Sequence, residues 1–349
     1  MSTRYVDADS TAGGDGTTNA LTGANRAYVS LSAWEAAVQG TFTEIQECIC
    51  ESNGGSHTAD GACNIDGSTT TASYYHDIKT SAAGRHAGVF DATKYRLQAS
   101  YGPSGLLQTN DDYIRVTGLQ VYNTFSTAGD NNPGIIESTG QYCAFDKLLA
   151  RNTIISGQSY TRGIRLGPYN TIRNSIVYDV WNATQSRGNG FDRQNAAVQV
   201  KVYNCTAHTC YRGFVTQDEG LSAADQMVVK NCLAAACGDG FLASWQWGTG
   251  SNYNASTLAS DAPGANSRNS QTFTFVNEAG DNFLLAAGDA GAKDYGVTDP
   301  GSGLFSDDIL GTTRSGSWDI GAHEYIAAGG ATFNPAWARG SNQIIGAWQ

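Results

Sequence analysis

A strand phrase built around a polar–small pair recurs five times at nearly constant spacing, and a repeat of that kind admits few folds. It reads Val116-Thr117-Gly118-Leu119-Gln120-Val121, Phe145-Asp146-Lys147-Leu148-Leu149-Ala150, Arg173-Asn174-Ser175-Ile176-Val177-Tyr178, Tyr203-Asn204-Cys205-Thr206-Ala207-His208 and Lys230-Asn231-Cys232-Leu233-Ala234-Ala235. With Leu119, Leu148, Ile176, Thr206 and Leu233 taken as equivalent, the steps are 29, 28, 30 and 27 residues. A second phrase, glycine followed by a large apolar residue, keeps step with it: Gly134-Ile135, Gly163-Ile164, Gly190-Phe191, Gly213-Phe214 and Gly240-Phe241, at 29, 27, 23 and 27. Two strand phrases repeating together with no helix between them describe a β-solenoid, in which each repeat buries its apolar face by stacking on the next.

Helical repeats of similar period need an amphipathic helix or a leucine scaffold in every unit. These repeats are instead rich in Val, Ile, Tyr, Thr, Asn and Gly, which suit strands joined by tight corners. Asn174, Asn204 and Asn231 fall in one column, and asparagine tolerates the left-handed backbone and bonds to its own kind one coil away. Cys205 is expected to stack on Cys232 and Cys210 on Cys237, as small buried hydrophobes rather than as disulfides. The fold expected is an all-β, right-handed, single-stranded parallel β-helix, with five clear coils from about residue 112 to 245 and irregular coils on each side. The hand follows the right-handed preference of parallel crossovers.

Composition agrees. Only 15% of the 349 residues are charged and 42 are glycine, which suits stacked strands and disfavours a helical bundle. A net charge of −11 argues against a nucleic-acid partner. No apolar run approaches a membrane span. The start, Met1-Ser2-Thr3-Arg4-Tyr5-Val6-Asp7, has no hydrophobic signal segment, so ordinary export is not expected. Thiols are therefore expected, although Cys48 or Cys50 could link to Cys63 in an oxidising medium. Cys48, Cys50, Cys63 and His57 lack a usual structural-zinc spacing, and neither metal nor cofactor is expected.

The expected organisation is a cap of strand, helix and loops over 1–74, the parallel β-helix over 75–290, a C-terminal cap over 291–325 and an arm over 326–349. Ser32 and Glu35 form a capping box that opens a short helix to about Ala37. Such a helix can plug the open end of a solenoid.

The two ends carry a resemblance. Tyr5-Val6-Asp7-Ala8-Asp9, Gly13-Gly14-Asp15-Gly16-Thr17-Thr18 and Ser30-Leu31-Ser32-Ala33-Trp34-Glu35-Ala36 are similar to the opening of a family of right-handed parallel β-helix proteins. The segments Phe275–Leu285 and Arg314–Tyr325, the latter reading Arg-Ser-Gly-Ser-Trp-Asp-Ile-Gly-Ala-His-Glu-Tyr, resemble its closing phrases. The chain thus resembles pectate-lyase-like β-helix proteins, and among them members from bacteriophages and environmental bacteria. The resemblance implies the fold; activity is implied only weakly, because this fold hosts lyases, hydrolases and inert structural proteins.

In β-helix enzymes of this kind, acids and a basic residue lie on one outer face over successive coils. By alternation, the residue after each large apolar one points outward, which sets Arg165 beside Asp192 about one strand spacing, ~4.8 Å, apart. The candidate catalytic set is Asp192 as acid or base and Arg165 or Arg193 as carboxylate holder, with Asp218 and Glu219 on the next coil. Trp245 and Trp247 are candidate glycan platforms. The plainer reading is a surface ion pair worth about 0–1 kcal/mol. The pairs Asp111-Asp112 and Asp307-Asp308 read as solvated turn residues, and His57, His76, His86, His208 and His323 as scattered structural histidines. Trp337, Ile344, Ile345 and Trp348 make the tail an arm for assembly, in a homo-oligomer such as a trimer or on another virion protein. The function expected is a structural virion protein of a tailed bacteriophage. Its alternatives are a polysaccharide lyase or hydrolase and a non-enzymatic module that binds surface polysaccharide.

Overall fold

The computed structural model describes residues 1–100, 105–124, 134–152, 161–181, 187–194, 197–216 and 220–327. Three parallel sheets hold nearly all its strands. The first runs through Ser2–Asp7, Gln46–Glu51, His76–Thr80, Arg115–Thr117, Ala144–Asp146, Thr171–Arg173, Lys201–Tyr203 and Val228–Lys230. The second runs through Arg96–Ala99, Gln120–Asn123, Leu149–Asn152, Ile176–Tyr178, Thr206–His208, Leu233–Ala235 and Ala255–Ser256. The third runs through Cys63–Ile65, Leu107–Thr109, Gly134–Ser138, Arg162–Leu166, Asn189–Arg193, Arg212–Thr216 and Asp239–Ala243. Among the described residues, six coils in succession, from His76 to Ala243, give one strand to each sheet. The chain is a parallel β-helix.

The stack begins earlier than expected. Ser2–Asp7 already pairs in parallel with Gln46–Glu51, so the expected start at residue 75 is corrected to Ser2. Long loops in the first two coils hide the period there. The last parallel strand is Ala255–Ser256, and Phe275–Asn277 with Asn282–Leu285 form an antiparallel hairpin outside the solenoid. The helix spans Leu31–Val38 and its N-cap is Ser30, whose Oγ accepts from Ala33 N at 3.0 Å. Ser32, the expected cap, instead donates to Ala62 O at 2.9 Å. Leu31 and Trp34 are buried in the core, so the helix closes its N-terminal end. The open edge beyond Ser2–Asp7 is covered by residues 16–28, through Tyr5 N to Gly16 O and Tyr28 N to Tyr5 O, both 2.8 Å.

Two columns of described corner residues are held at positive φ. Between the first and second sheets these are Gly118, Lys147, Asn174, Asn204 and Asn231, with φ from 48° to 78°. Their N–H groups donate to the next coil, as Asn174 N does to Tyr203 O at 3.2 Å and Asn204 N to Lys230 O at 3.0 Å. The asparagines also touch along the column, Asn231 Nδ2 to Asn204 Oδ1 at 3.4 Å. Between the third and first sheets the column is Tyr113, Tyr142, Tyr169 and Gln199, whose three tyrosine rings stack at 5.1 and 4.7 Å. Left-handed backbone costs roughly 1–2 kcal/mol for such residues, offset by the coil-to-coil hydrogen bond and by stacking of about 0.5–1.5 kcal/mol per pair.

The glycine phrase is explained by the interior. Ile164, Phe191, Phe214 and Phe241 stack in register, the last three rings at 4.9 and 4.8 Å. Opposite them, Val177, Ala207 and Ala234 of the second sheet come so close that a Cβ on Gly213 would meet Gly240 O at 2.5 Å and the two alanine methyls at 3.3 Å. Large rings on one wall thus require small residues and bare glycines around them. The first glycine is out of step: Arg162 pairs with Gly134 and Ile164 with Ile136, not Ile135.

The strand column also needs a correction. Its register is Gln120, Leu149, Ile176, Thr206, Leu233 and Ala255. Leu119 and Leu148 are one residue early; they belong with Ser175, Cys205 and Cys232 on the inside. The slip arises because both columns are apolar. Leu149, Ile176, Tyr178 and Leu233 face outward but are buried under Phe273, Phe275, Phe283, Leu285, Ile309 and Ile320. Residues 273–325 therefore form a strap along the outside of the second sheet, rather than a cap on the solenoid's end. A smaller contact sets Leu304, Phe305 and Trp318 on Tyr203 of the first sheet.

The closing phrase is used up in this docking. Arg314, fully buried, binds Glu324 at 3.1 Å, Asn174 Oδ1 at 3.3 Å and Gly321 O at 3.0 Å. Ala322 N donates to Thr206 Oγ1 at 3.0 Å, and His323 Nδ1 accepts from Leu285 N at 3.0 Å. Lys147 joins Asp146 of the solenoid to Asp307 of the strap, both at 2.9 Å. Asp308 is buried and takes the N–H groups of Leu310, Thr312 and Glu324, and Asp111 is buried against His76 at 3.2 Å, so neither is the solvated turn acid expected.

All eight cysteines are free and buried, so no link joins Cys48 or Cys50 to Cys63. Cys48 and Cys50 lie on one inward face with Sγ atoms 3.9 Å apart. Burial pushes the Cys205 thiol well up and that of Cys232 up to about 12.

Three outcomes are expected. Native-state thiol labelling leaves Cys205 and Cys232 unreactive; rapid labelling of both would mean the register is wrong by one residue. Gly213→Ala lowers stability by about 1–3 kcal/mol, whereas Gly55→Ala, which meets nothing within 4 Å, is close to neutral by denaturant titration. His86, buried and bonded to Lys147 O at 3.0 Å, has its pKa lowered to about 3 by desolvation and by Arg85. Its contribution is full above the unfolded value of about 6.5 and is lost as pH falls toward 3. His86→Asn should therefore flatten the rise of stability between about pH 4 and 6.5, by up to about 1.4 kcal/mol per pH unit.

Candidate functional site

The third sheet turns a polar column outward. Asn64, Gln108, Glu137, Arg165, Asp192, Val215 and Leu242 follow one another in register. A second column beside it holds Arg162, Asn189, Arg212 and Asp239. The alternation that buries Ile164, Phe191 and Phe214 is what turns Arg165 and Asp192 out. Their expected adjacency is met: Arg165 pairs in register with Asp192.

The charges, however, pair differently from the sequence reading. Arg165 Nη1 binds Glu137 at 3.1 Å, on the other neighbouring coil. Asp192 is held by Arg162 Nε at 2.5 Å, by Asn189 Nδ2 at 2.9 Å and by the N–H of Arg193 at 2.9 Å. It is only 2% exposed. Glu137 also takes Gly134 N at 3.0 Å and Gln194 Nε2 at 3.3 Å. Each carboxylate already accepts from a guanidinium and an N–H group.

Arg193 is corrected. It sits at an inward position, in register with Leu166, and is buried. Its Nε donates to Thr216 Oγ1 at 2.8 Å, Nη1 to Ala197 O at 2.6 Å and Nη2 to Gln226 Oε1 at 3.2 Å. It holds the corner after the third sheet and presents nothing to a ligand. Asp218 and Glu219 lie outside the described residues, as do Trp337, Ile344, Ile345 and Trp348 of the tail.

Trp245 follows the last strand of the third sheet and is 66% exposed. Trp247 is partly buried, its ring edge-on to Phe241 at 6.1 Å, so it props the core rather than offering a platform. Trp181 and Tyr211, at the corner between the second and third sheets, meet edge-on at 5.8 Å, with Arg212 over Tyr211 at 5.4 Å. Sequence reasoning missed that pair and the tyrosine ladder; their spacing of about one repeat, 30 residues for the pair and 29 and 27 in the ladder, was the available signal.

His208 does point outward, as alternation implies, but the strap covers it. Its ring lies 4.0 Å from Phe283 and its Nε2 2.9 Å from Glu278, and burial lowers its pKa despite that carboxylate. His57 Nδ1 shares a hydrogen bond with Ser52 Oγ at 3.1 Å and is apart from the cysteines. Among the described residues no group of three or more His, Cys, Asp or Glu is placed to hold a metal ion, and no helix is long and apolar enough to cross a membrane.

No family model matches the chain, and no curated protein matches it. Among solved structures it is similar to pectate lyase Pel9A, at 14% identity over 93% of this chain and 96% of that one, with a TM-score of 0.34. The β-helix assignment rests on the chain's own three-sheet topology.

One consequence is testable on the purified chain. Asp192→Ala removes the carboxylate that accepts from Arg162 Nε and Asn189 Nδ2 and should cost about 1–3 kcal/mol of stability. Breaking the more exposed pair with Arg165→Ala should cost less than about 1 kcal/mol, both read by denaturant titration.

Proposed function

We propose that this chain is a non-enzymatic, glycan-contacting β-helix, whose ligand lies along the outer face of the third sheet. The observation that carries the reading is the in-register pair Glu137 and Arg165, partly exposed on the same sheet whose last strand leads to the exposed Trp245. Rows of carboxylate, amide and guanidinium groups suit sugar hydroxyls, and an exposed indole suits the C–H face of a ring. Leaving such an indole in water costs roughly 1.5–3 kcal/mol, which a ligand would recover.

The enzymatic alternative, a polysaccharide lyase or hydrolase acting through Asp192, is less well supported. A hydrolase of the usual kind needs two carboxyl groups in contrasting environments. Here Asp192 and Glu137 are both tied to arginines. Incubation with acidic polysaccharides should release no reducing ends or unsaturated products. Turnover abolished by Asp192→Ala would reverse the assignment. Binding should weaken about tenfold in Trp245→Ala, a loss of ~1.4 kcal/mol; unchanged binding would remove this face from consideration.

The second reading, a structural component of a bacteriophage particle, draws on the strap, which ties the solenoid along its length by buried charges and aromatic rings. It predicts the chain in mass spectra of purified particles and an oligomer in solution.

A further inference from the structure

One cluster of charged side chains lies outside this face and is left unsatisfied. Arg151 stands in the outward column of the second sheet, between Tyr122 and Tyr178 in register, with its guanidinium carbon 4.6 and 5.1 Å from their ring centres. Its two terminal nitrogens approach Asp179, at the corner after Ile176–Tyr178, and Asp281, at the turn of the strap hairpin. The distances are 3.8 and 3.4 Å, long for hydrogen bonds. Apart from these two approaches, neither carboxylate accepts a hydrogen bond from a described residue. Arg151 Nε is buried without an acceptor. The hydroxyl of Tyr178, fully buried beneath Phe283, makes no well-formed hydrogen bond; it interacts with Arg151 and feels the charges of Arg151, Asp179 and Asp281 together. Buried polar groups are nearly always satisfied, so several unsatisfied ones around a solvent-open pair of carboxylates call for an occupant. The carboxylates are 20% and 37% exposed, so the cluster is open to one.

We propose that Arg151, Asp179 and Asp281, with the Tyr178 ring behind the guanidinium, form a binding site for the hydroxyl groups of a sugar, at the junction of the hairpin turn with the second sheet. Neighbouring hydroxyls supply what the cluster lacks: O–H donors for the two carboxylates, and oxygens that accept from the terminal nitrogens of Arg151. Phe90 and Tyr122, edge to face at 5.3 Å, form an apolar wall beside them. A divalent cation is disfavoured, because the guanidinium sits against both carboxylates. The remaining charged groups of the hairpin turn and sheet are engaged, Glu278 with His208 at 2.9 Å. Burial and the neighbouring Asp281 raise the pKa of Asp179 to about 6, as expected of a carboxyl that lacks donors. The site shares with the reading above the class of ligand but none of its residues, so the two stand or fall separately.

The test uses the full chain on an array of neutral hexose and uronate oligosaccharides, followed by calorimetric titration with the best-bound one. Asp281→Asn and Asp179→Asn should each weaken binding by about tenfold, with unchanged Tm. Lys201→Ala, exposed on the first sheet, should leave binding intact. Binding lost only in Trp245→Ala would overturn this site and keep the third-sheet reading. Binding that survives both Asp179→Asn and Asp281→Asn, or no binding by the wild type, also overturns it. So does stoichiometric calcium uptake that disappears in the same two variants, which would make the pair a cation site.

Discussion

Each coil of this chain is tied to the next by an N–H group that a left-handed corner residue points along the axis. The corner hydrogen bonds of Lys147, Asn174, Asn204 and Asn231 to the carbonyls of Arg173, Tyr203, Lys230 and Asn252 are what a stack without helices needs. A corner whose backbone groups found no partner would lose about 1–3 kcal/mol at every turn. Once the corners are fixed, the sheets follow, because strands between fixed corners can only pair in parallel with their equivalents. The interior then becomes a matter of volume. A phenylalanine stack on the third sheet fills the space that Ala207, Ala234 and the bare glycines leave open.

The repeat made the solenoid legible from the sequence, and alternation placed Arg165 beside Asp192. The column containing Ile176 was one residue out in two of its five members. Facing is read from apolar identity, and here both faces of the second sheet are apolar. Leu148 and Leu149 are both buried, the first by the core and the second by the strap. No local pattern separates them, because what covers Leu149 lies more than a hundred residues away in the sequence. Arg193 was misplaced for the mirror reason. A charged residue after Asp192 reads as surface, yet it fills an inward position by taking Thr216, Ala197 and Gln226 as partners.

The strap also changes what the C-terminal phrases mean. Arg314, Trp318, Asp319, Gly321, His323 and Glu324 look like a motif with chemistry in it. Each is spent on docking. Gly321 has φ 104° and no room for a Cβ against Thr206 Oγ1 at 2.8 Å, while Arg314 reaches the asparagine corner through Asn174. Burial together with Glu324 pushes the Asp319 carboxyl up to about 7, although it accepts from Asp294 N and Tyr325 N. A perturbed acid of this kind marks catalysis in some proteins; in this one it marks the burial of two carboxylates beside a single arginine.

Satisfaction of polar groups, more than charge itself, therefore separates structure from function on this surface. Asp146 lies between Lys147 and Arg173, and these neighbours hold its carboxyl well below the usual range despite its burial. Lys147 is shared in turn with Asp307, so each buried charge has more than one partner, which is the signature of a structural network. The third-sheet column is intermediate, with paired charges only partly exposed at Glu137 and Arg165 and an exposed indole at its end. Arg151, Tyr178, Asp179 and Asp281 stand at the other extreme, since their geometry is fixed by two rings and a hairpin turn while their hydrogen-bonding capacity is unused. A solenoid that spends most of its polar groups on its own corners and strap has few places left for a ligand to add hydrogen bonds, and among the described residues this cluster is one where the protein supplies too few of its own.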